Sequence, residues 1–134
     1  MKLLLDTHAL LWWLSDDPSL GGGARDVIAD PGNDVLVSIV SLWEIVVKAR
    51  IGKLRADIRT VTAAVEEGGF TRLDLAVPHL LVLDRLPVDP AHRDPFDHLL
   101  VAQAIAEDAT FMTEDRRMTV YPVRTLSCTA TALP

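Results

Sequence analysis

The stretch that decides the fold opens the chain: Met1-Lys2-Leu3-Leu4-Leu5-Asp6-Thr7-His8-Ala9-Leu10-Leu11-Trp12-Trp13-Leu14. A short apolar run ends at Asp6, and a second apolar run begins directly after it. The first run predicts a buried strand over residues 2–5. The second, which is too long and too aromatic for a turn, predicts a helix over residues 7–14. Because ligands of open parallel sheets bind beyond the carboxyl ends of the strands, Asp6 marks a candidate site.

Length and composition limit the class of protein. The chain has 134 residues, 49% of them hydrophobic, which predicts one domain that buries roughly two-thirds of its unfolded surface. The lone Cys128 excludes an intramolecular disulfide framework and indicates a reducing compartment, the cytoplasm. Asp6 and His8 interrupt the apolar start and argue against a signal sequence. No stretch reaches the ~18 uninterrupted apolar residues of a membrane helix, so we expect a soluble protein without a membrane partner.

The alternation of strand and helix patterns continues along the chain. Further strands are predicted over residues 35–38, 70–75, 110–113 and 121–126, and further helices over residues 24–29, 39–51, 57–67, 78–86 and 95–108. Strands separated by helices favour an α/β fold with a mostly parallel sheet of four to five strands, covered on both faces. This domain spans residues 1–126. Residues 127–134 are small and weakly patterned, and we expect this C-terminal tail to fray.

Four carboxylates stand where an apolar pattern ends or is interrupted: Asp6, Glu44, Asp97 and Asp115. Two of them follow predicted strands, one interrupts an apolar helix, and one lies on the apolar face of the helix over residues 95–108. Carboxylates packed together raise one another's pKa values unless a cation neutralises them. Oxygen ligands without Cys or clustered His select hard ions such as Mg²⁺ or Mn²⁺. Such ions assist the cleavage of phosphodiesters.

Each acid also has a simpler interpretation. Asp6 and Asp94 have the positions of helix N-caps, and Glu44 has Lys48 four residues on for a surface ion pair. Asp115, next to another acid, fits ordinary turn chemistry. The four histidines show no zinc-site spacing, and we interpret them as helix-face or loop residues: His8, His79, His92 and His98.

Basic residues cluster in one window. The formal net charge of −6 argues against an electrostatic grip on nucleic acid. However, five of the thirteen Lys and Arg residues lie within residues 48–59, namely Lys48, Arg50, Lys53, Arg55 and Arg59. This window predicts either a basic rim beside the acidic centre or a solvated helix face.

Several stretches together resemble the PIN-domain ribonucleases, and among them the VapC-type toxins of prokaryotic toxin–antitoxin pairs. The resemblance covers residues 1–126. The stretches that carry it are Leu-Leu-Leu-Asp6-Thr-His-Ala-Leu-Leu-Trp-Trp, Ser38-Ile-Val-Ser-Leu-Trp-Glu44-Ile, Gly52-Lys-Leu, His92-Arg-Asp-Pro-Phe-Asp97 with the following Leu-Leu-Val-Ala-Gln-Ala, and Thr113-Glu-Asp115. Each alone is a weak signal, whereas the combination is specific.

The resemblance implies a three-layer α/β/α sandwich in which the four acids form a catalytic Mg²⁺ or Mn²⁺ cluster. It implies an additional acid at Asp94 and a supporting hydroxyl at Thr113. The implied activity is metal-dependent endonucleolytic cleavage of RNA, by a homodimer that a cognate antitoxin inhibits. The candidate RNA-binding residues are then Lys48, Arg50, Lys53 and Arg55.

Two features depart from that pattern, and two rival hypotheses stay open. His98 stands where many relatives have Arg, and residues 127–134 have no counterpart. The first rival is a non-catalytic Mg²⁺-binding α/β regulatory module that acts through a protein partner. Receiver domains of that kind rely on adjacent early acids and a late Lys, and this chain has neither pattern clearly. The second rival, an aspartyl-phosphate transferase, requires an acid two residues after Asp6, where His8 stands.

Overall fold

The computed structural model describes residues 1–131 and confirms the predicted α/β class. Five strands lie within these residues: β1 Lys2–Leu5, β2 Asp34–Ser38, β3 Thr71–Leu73, β4 Thr110–Thr113 and β5 Thr125–Ser127. All neighbouring pairs are parallel, and the strand order is β3-β2-β1-β4-β5. The helices are α1 Thr7–Leu14, α2 Gly22–Ala29, α3 Ile39–Arg50, α4 Ile58–Glu67, α5 Val77–Arg85 and α6 Pro95–Ala106, and a short 3₁₀ helix spans Arg116–Val120.

The central strand β1 is buried on both faces, which makes the fold a three-layer sandwich. Leu3 and Leu5 pack into one core with α1, α2 and α4, whereas Leu4 packs into a second core with α6. All three side chains are at most 1% exposed. Strands covered on both faces have no polar side to present, and the unbroken apolar run before Asp6 reflects this. Among residues 1–131, none of the helices combines the length and the apolar character that crossing a bilayer requires.

The sheet register brings distant segments to one edge. The backbone N–H of Asp6 donates to the carbonyl of Met112 at 3.0 Å, so the chain leaves β1 beside the end of β4. On the other side of β1, strand β2 ends at Ser38, whose hydroxyl caps α3 by accepting the N–H of Val40. The residues that follow β1, β2 and β4 therefore meet at the carboxyl end of the sheet.

The last predicted strand differs from the observed one. We predicted residues 121–126, but only the segment Thr125–Ser127 pairs with β4. Tyr121 is buried in the second core, and its carbonyl accepts the N–H of Val123 at 2.8 Å in a tight turn. Pro122 between them has no N–H to donate to a ladder. The chain joins the sheet only after this turn.

The first part of the C-terminal tail is packed, whereas we predicted that it frays. Cys128 is fully buried, and its carbonyl accepts the N–H of Gly21 at 3.0 Å. The carbonyl of Ala130 accepts the N–H groups of Gly23 at 2.9 Å and Ala24 at 3.3 Å. These N–H groups belong to the start of α2, where an α-helix has no internal partners for them. The division of the chain at residue 126 stays a prediction, and residues 132–134 lie outside the described residues.

This contact makes Gly21 intolerant of a side chain. A Cβ at Gly21 would lie 2.1 Å from the carbonyl oxygen of Ala130, whereas a Cβ at Gly22 would meet nothing closer than 3.7 Å. We expect Gly21→Ala to lower the free energy of unfolding by about 1–3 kcal/mol, as overpacking does elsewhere. Gly22→Ala, the matched control, should have little effect. Urea denaturation of both variants measures this, and equal stabilities would contradict the packing of residues 127–130 against α2.

Candidate metal centre

An acidic cleft opens at the carboxyl edge of the sheet. Its lining residues are Asp6, His8, Asp94, Asp97, Thr113, Glu114, Asp115 and Arg117. The structure thus brings together three of the four predicted site acids with both predicted supporting residues. The fourth acid, Glu44, lies beside the cleft and does not line it.

Asp6 caps α1 and lines the cleft at the same time. Its Oδ1 accepts the N–H of Ala9 at 2.7 Å, and the residue is 6% exposed. Burial raises the pKa of Asp6 from 3.8 to about 6, against the opposing effect of hydrogen bonds from Ala9 and Thr113. The negative charge of Asp97 raises this pKa further. The capping interpretation of Asp6 is confirmed, and its role in a metal site stays a prediction.

Asp94 and Asp97 occupy the first turn of α6. The side chain of Asp94 accepts the N–H of Phe96 at 2.9 Å and that of Asp97 at 3.4 Å, which confirms its predicted role as the N-cap. Burial, followed by the charge of Asp94, raises the pKa of Asp97. The charge of Glu44 raises it too, and a hydrogen bond from His92 lowers it. Ionised Asp97 is thus costly without a compensating cation.

Glu44 is buried between α3 and α1. It is 3% exposed, and its Oε1 accepts the hydroxyl of Thr7 at 2.5 Å. The hydroxyl of Ser41 lies 3.1 Å from that of Thr7, and the ammonium of Lys48 donates to Oε2 of Glu44. The ion pair that we weighed as a surface alternative does form, but its acid is buried. Both oxygens of Glu44 already have a donor, and its charge still reaches Asp97.

Asp115 forms an ion pair with Arg117. Its Oδ1 accepts the backbone N–H of Arg117 at 2.9 Å, so it caps the 3₁₀ helix. The guanidinium of Arg117 donates hydrogen bonds to both carboxylate oxygens of Asp115, with Nε 3.0 Å from Oδ1 and Nη2 2.8 Å from Oδ2. The hydrogen bond from Arg117 holds the pKa of Asp115 below its ordinary value. Thr113 accepts the backbone N–H of Asp115 at 3.1 Å, which fits its predicted supporting position.

His92 is the residue of this centre that sequence reasoning missed. We interpreted it as a loop residue; it does lie in the loop before α6, but it is 1% exposed and directed at the acids. Its Nε2 is 3.2 Å from Oδ2 of Asp97. Each of His92, Asp97 and Asp115 offers one ligand atom, and these atoms all lie within 4.8 Å of one another. Within residues 1–131, these three side chains are therefore close enough together to be grouped around one ion, and the predicted four-acid set stays a prediction. The signal available in the sequence was its place five residues before Asp97.

The donor set fits a divalent cation. The cleft is lined by five carboxylates, and oxygen donors of this kind select hard ions such as Mg²⁺ or Mn²⁺. The pKa values of Asp6 and Asp97 are raised, which indicates that the basic side chains nearby do not fully compensate the charge of these two acids. We call Asp6 and Asp97 the inner acids. Asp6, Asp97 and Asp115 present carboxylates to this cleft and would hold such an ion.

Residues 3–123 match the PIN domain family, and the chain belongs to that family. No curated protein matches the sequence. The fold is similar to that of a chain in VapBC2 from Rickettsia felis bound to a promoter DNA fragment, with a TM-score of 0.72, 16% identity and coverage of 95% of this chain and 98% of that chain. VapBC-1 from nontypeable Haemophilus influenzae gives a TM-score of 0.67 at 15% identity, covering 97% of this chain and 100% of that one. DNA-bound VapBC from Salmonella typhimurium gives 0.67 at 16% identity, covering 96% and 98%. At these identities the likeness concerns the fold.

Asp6 makes the stability of the metal-free protein depend on pH. Because its pKa is raised from 3.8 to about 6, the folded protein holds this proton more tightly than the unfolded chain does. The resulting stabilisation is complete below about pH 4 and is lost as the pH rises through about 6, and the difference amounts to about 3 kcal/mol. Urea denaturation in EDTA from pH 4 to 8 should show this loss in the wild type. The isosteric Asp6→Asn variant, which keeps a capping side chain, should lack it; parallel profiles for the two proteins would contradict the assignment.

Proposed function

We propose that the protein is a VapC-like toxin, a metal-dependent endoribonuclease that hydrolyses RNA phosphodiester bonds. The observation that carries this proposal is the convergence of Asp6, Asp97 and Asp115 in one cleft of a PIN-domain chain. Asp6 lies 91 residues before Asp97 and 109 residues before Asp115 in the sequence. Helix capping alone does not explain why these acids lie in one cleft, because their mutual repulsion lowers the stability of the protein.

The proposed catalytic and metal-binding residues are Asp6, Glu44, Asp97 and Asp115, with Asp94 and Thr113 in support. A bound Mg²⁺ or Mn²⁺ supplies Lewis acidity to a site of this kind. Asp115 is ionised already, because Arg117 holds its pKa low. Burial disfavours the ionised forms of Asp6 and Asp97, and a bound cation would favour them. Each oxygen of Glu44 accepts one hydrogen bond, from Thr7 or Lys48, and keeps a lone pair for a cation, while the charge of Glu44 already acts on Asp97.

RNA must reach a cleft whose own charge repels phosphate. Of the candidate RNA-binding residues, Arg50, Lys53 and Arg55 are exposed at the end of α3 and in the segment after it. Lys48 differs from them because its ammonium is committed to Glu44. We assign the contact with the RNA backbone to the three exposed cations, which provide the positive charge that phosphate binding requires. Lys48 belongs chiefly to the acidic centre.

A cognate antitoxin is the proposed regulator, and the cytoplasm is the proposed location. Three of the solved structures that share the fold are described as VapBC, and two of these three are bound to DNA. Two further structures are described as FitAcB and FitAB. Those descriptions belong to those proteins. For this chain they support a protein partner, and we propose that this partner covers the cleft and inhibits cleavage.

Exposed apolar residues support the proposed homodimer. Trp43 on α3 is 54% exposed, and on α5 Val77 is 66% and Leu81 62% exposed. Both helices pack against α6, and the ring of Trp43 contacts that of Phe96 at a centroid distance of 4.7 Å. Exposed apolar side chains on helices that pack against a common helix favour a protein interface. We propose that this surface joins two copies of the chain.

The dimer proposal predicts a change in molecular mass. Leu81→Glu places a charge in the centre of the proposed interface and should shift the protein from dimer to monomer, because an unpaired buried charge is costly. Val88, which is 92% exposed in the loop before α6, provides the control substitution Val88→Glu. Size-exclusion chromatography with light scattering measures both. A dimer in which Leu81→Glu is tolerated would place the interface elsewhere.

The nuclease proposal predicts loss of RNA cleavage on neutralisation of the inner acids. Purified protein with Mg²⁺ or Mn²⁺ should cut RNA internally, and EDTA should stop the reaction. Asp6→Asn and Asp97→Asn should each lower kcat at least about 100-fold, the usual effect of removing one electrostatic contribution to the transition state. Asp84→Asn, an exposed acid on α5, is the matched control and should cut like the wild type.

Three outcomes of this assay decide between the hypotheses. Metal-dependent cleavage that both variants lose supports the nuclease. Undiminished cleavage by Asp6→Asn and Asp97→Asn rejects the assigned residues. Absence of cleavage in the wild type, together with metal binding, favours the alternative of a non-catalytic regulatory module.

A further inference from the structure

A buried chain of hydrogen bonds runs from Tyr121 through His92 to Asp97. Nδ1 of His92 is 3.1 Å from the hydroxyl of Tyr121, and Nε2 is 3.2 Å from Oδ2 of Asp97. The side chain of His92 is fully buried, Tyr121 is 4% exposed, and the side chain of Asp97 is 22% exposed at the cleft. The chain therefore leads from the second core to the acidic cleft.

The chemistry of the three groups fixes the direction of these bonds. An ionised carboxylate only accepts, so Nε2 of His92 carries a hydrogen and donates it to Asp97. In the neutral ring Nδ1 is then the acceptor, and the hydroxyl of Tyr121 is its donor. Tyr121 thereby selects the tautomer of His92 that presents an N–H to the acid. The same logic orients histidines elsewhere, where a partner on one ring nitrogen sets the role of the other.

The ring of His92 is held firmly in this position. Its backbone N–H donates to the carbonyl of Asp89 at 3.0 Å, and its own carbonyl lies 2.7 Å from Nε2 of His98. The ring of His98 stands edge-on to that of His92 at a centroid distance of 4.8 Å. A ring packed on several sides has one rotamer and so offers its N–H from one place. This contact gives His98, which departs from the Arg of many relatives, a part in supporting the loop.

We infer that His92 is a positioning residue that orients the carboxylate of Asp97 for a divalent cation, and that Tyr121 orients His92. The inference rests on the proposed metal site. Oδ2 of Asp97 is held by His92, which restricts rotation of the carboxylate in the cleft that Asp97 lines. Groups that orient metal ligands typically contribute about 10- to 100-fold in metal affinity.

The test is a calorimetric titration with Mn²⁺ of four variants of the full chain. His92→Leu removes the N–H while filling the space, and His92→Gln keeps an N–H donor at the end of the side chain. Tyr121→Phe keeps the ring and removes the hydroxyl. The matched control is His79→Leu: His79 is 1% exposed and bonded to the carboxylate of Glu107 at 2.9 Å, and neither residue lines the cleft. The His79→Leu variant loses a comparable hydrogen bond between a buried histidine and a carboxylate.

We expect His92→Leu to bind Mn²⁺ about 10- to 100-fold more weakly than the wild type, His92→Gln to recover most of the loss, and Tyr121→Phe to lose less than His92→Leu. His79→Leu should lower stability in urea without a change in Mn²⁺ affinity. Equal effects of His92→Leu and His79→Leu, or a Gln variant no better than the Leu variant, would overturn the inference. If His92→Leu does not fold, the Gln and Phe variants decide it: wild-type Mn²⁺ affinity in Tyr121→Phe, or a loss in His92→Gln as large as about 10-fold, would overturn it.

The metal titration separates this inference from the proposed function. A wild type that binds Mn²⁺ but leaves RNA intact rejects the nuclease, while the titration of the variants still decides the role of His92. A wild type that binds no Mn²⁺ overturns both.

Discussion

Repulsion between carboxylates gathered at one edge of a parallel sheet is the constraint on which the site depends. Strand β1 is buried on both faces, and its register with β4 delivers Asp6 to the end of the sheet where α6 begins. Burial then raises the pKa values of Asp6 and Asp97, because the charged forms lose their solvation. The negative charge gathered in the cleft lowers the stability of the folded protein. A cation that binds the folded protein there would therefore stabilise it.

The chain compensates this charge unequally from acid to acid. The outer acids, Glu44 and Asp115, have basic partners in Lys48 and Arg117. Asp6 follows the central strand β1; it accepts hydrogen bonds from Ala9 and Thr113, and the charge of His8 also lowers its pKa, but these effects do not offset its burial. In the proposed function, a divalent ion would therefore be held at Asp6 and Asp97, while the hydrogen bond from Arg117 favours the ionised form of Asp115. In the proposed function, the phosphates of the RNA would be attracted by the exposed cations at and after the end of α3, namely Arg50, Lys53 and Arg55.

Local patterns predicted the features that depend on nearby residues. The cap at Asp94, the proline at the first position of α6 and the helix after Asp6 were all predictable, since capping and backbone restriction act within one turn. The resemblance of the acidic stretches to PIN-domain proteins predicted the family, which the match over residues 3–123 confirms. The proposed roles of the individual acids stay predictions. The missed elements depended on distant partners: His92 on Tyr121, and residues 127–130 on the start of α2.

The sequence by itself determined the alternation of strands and helices, the two-sided burial of β1 and the acids that end its apolar patterns, because periodicity and chain breaks are properties of neighbouring residues. The tertiary structure alone decided which of those acids share a cleft, which are neutralised by Lys48 or Arg117, and that a buried histidine stands behind Asp97. The physical reason is that electrostatic interaction and burial depend on distances in space. Those distances are set by strand register and helix packing, which no short stretch of sequence contains.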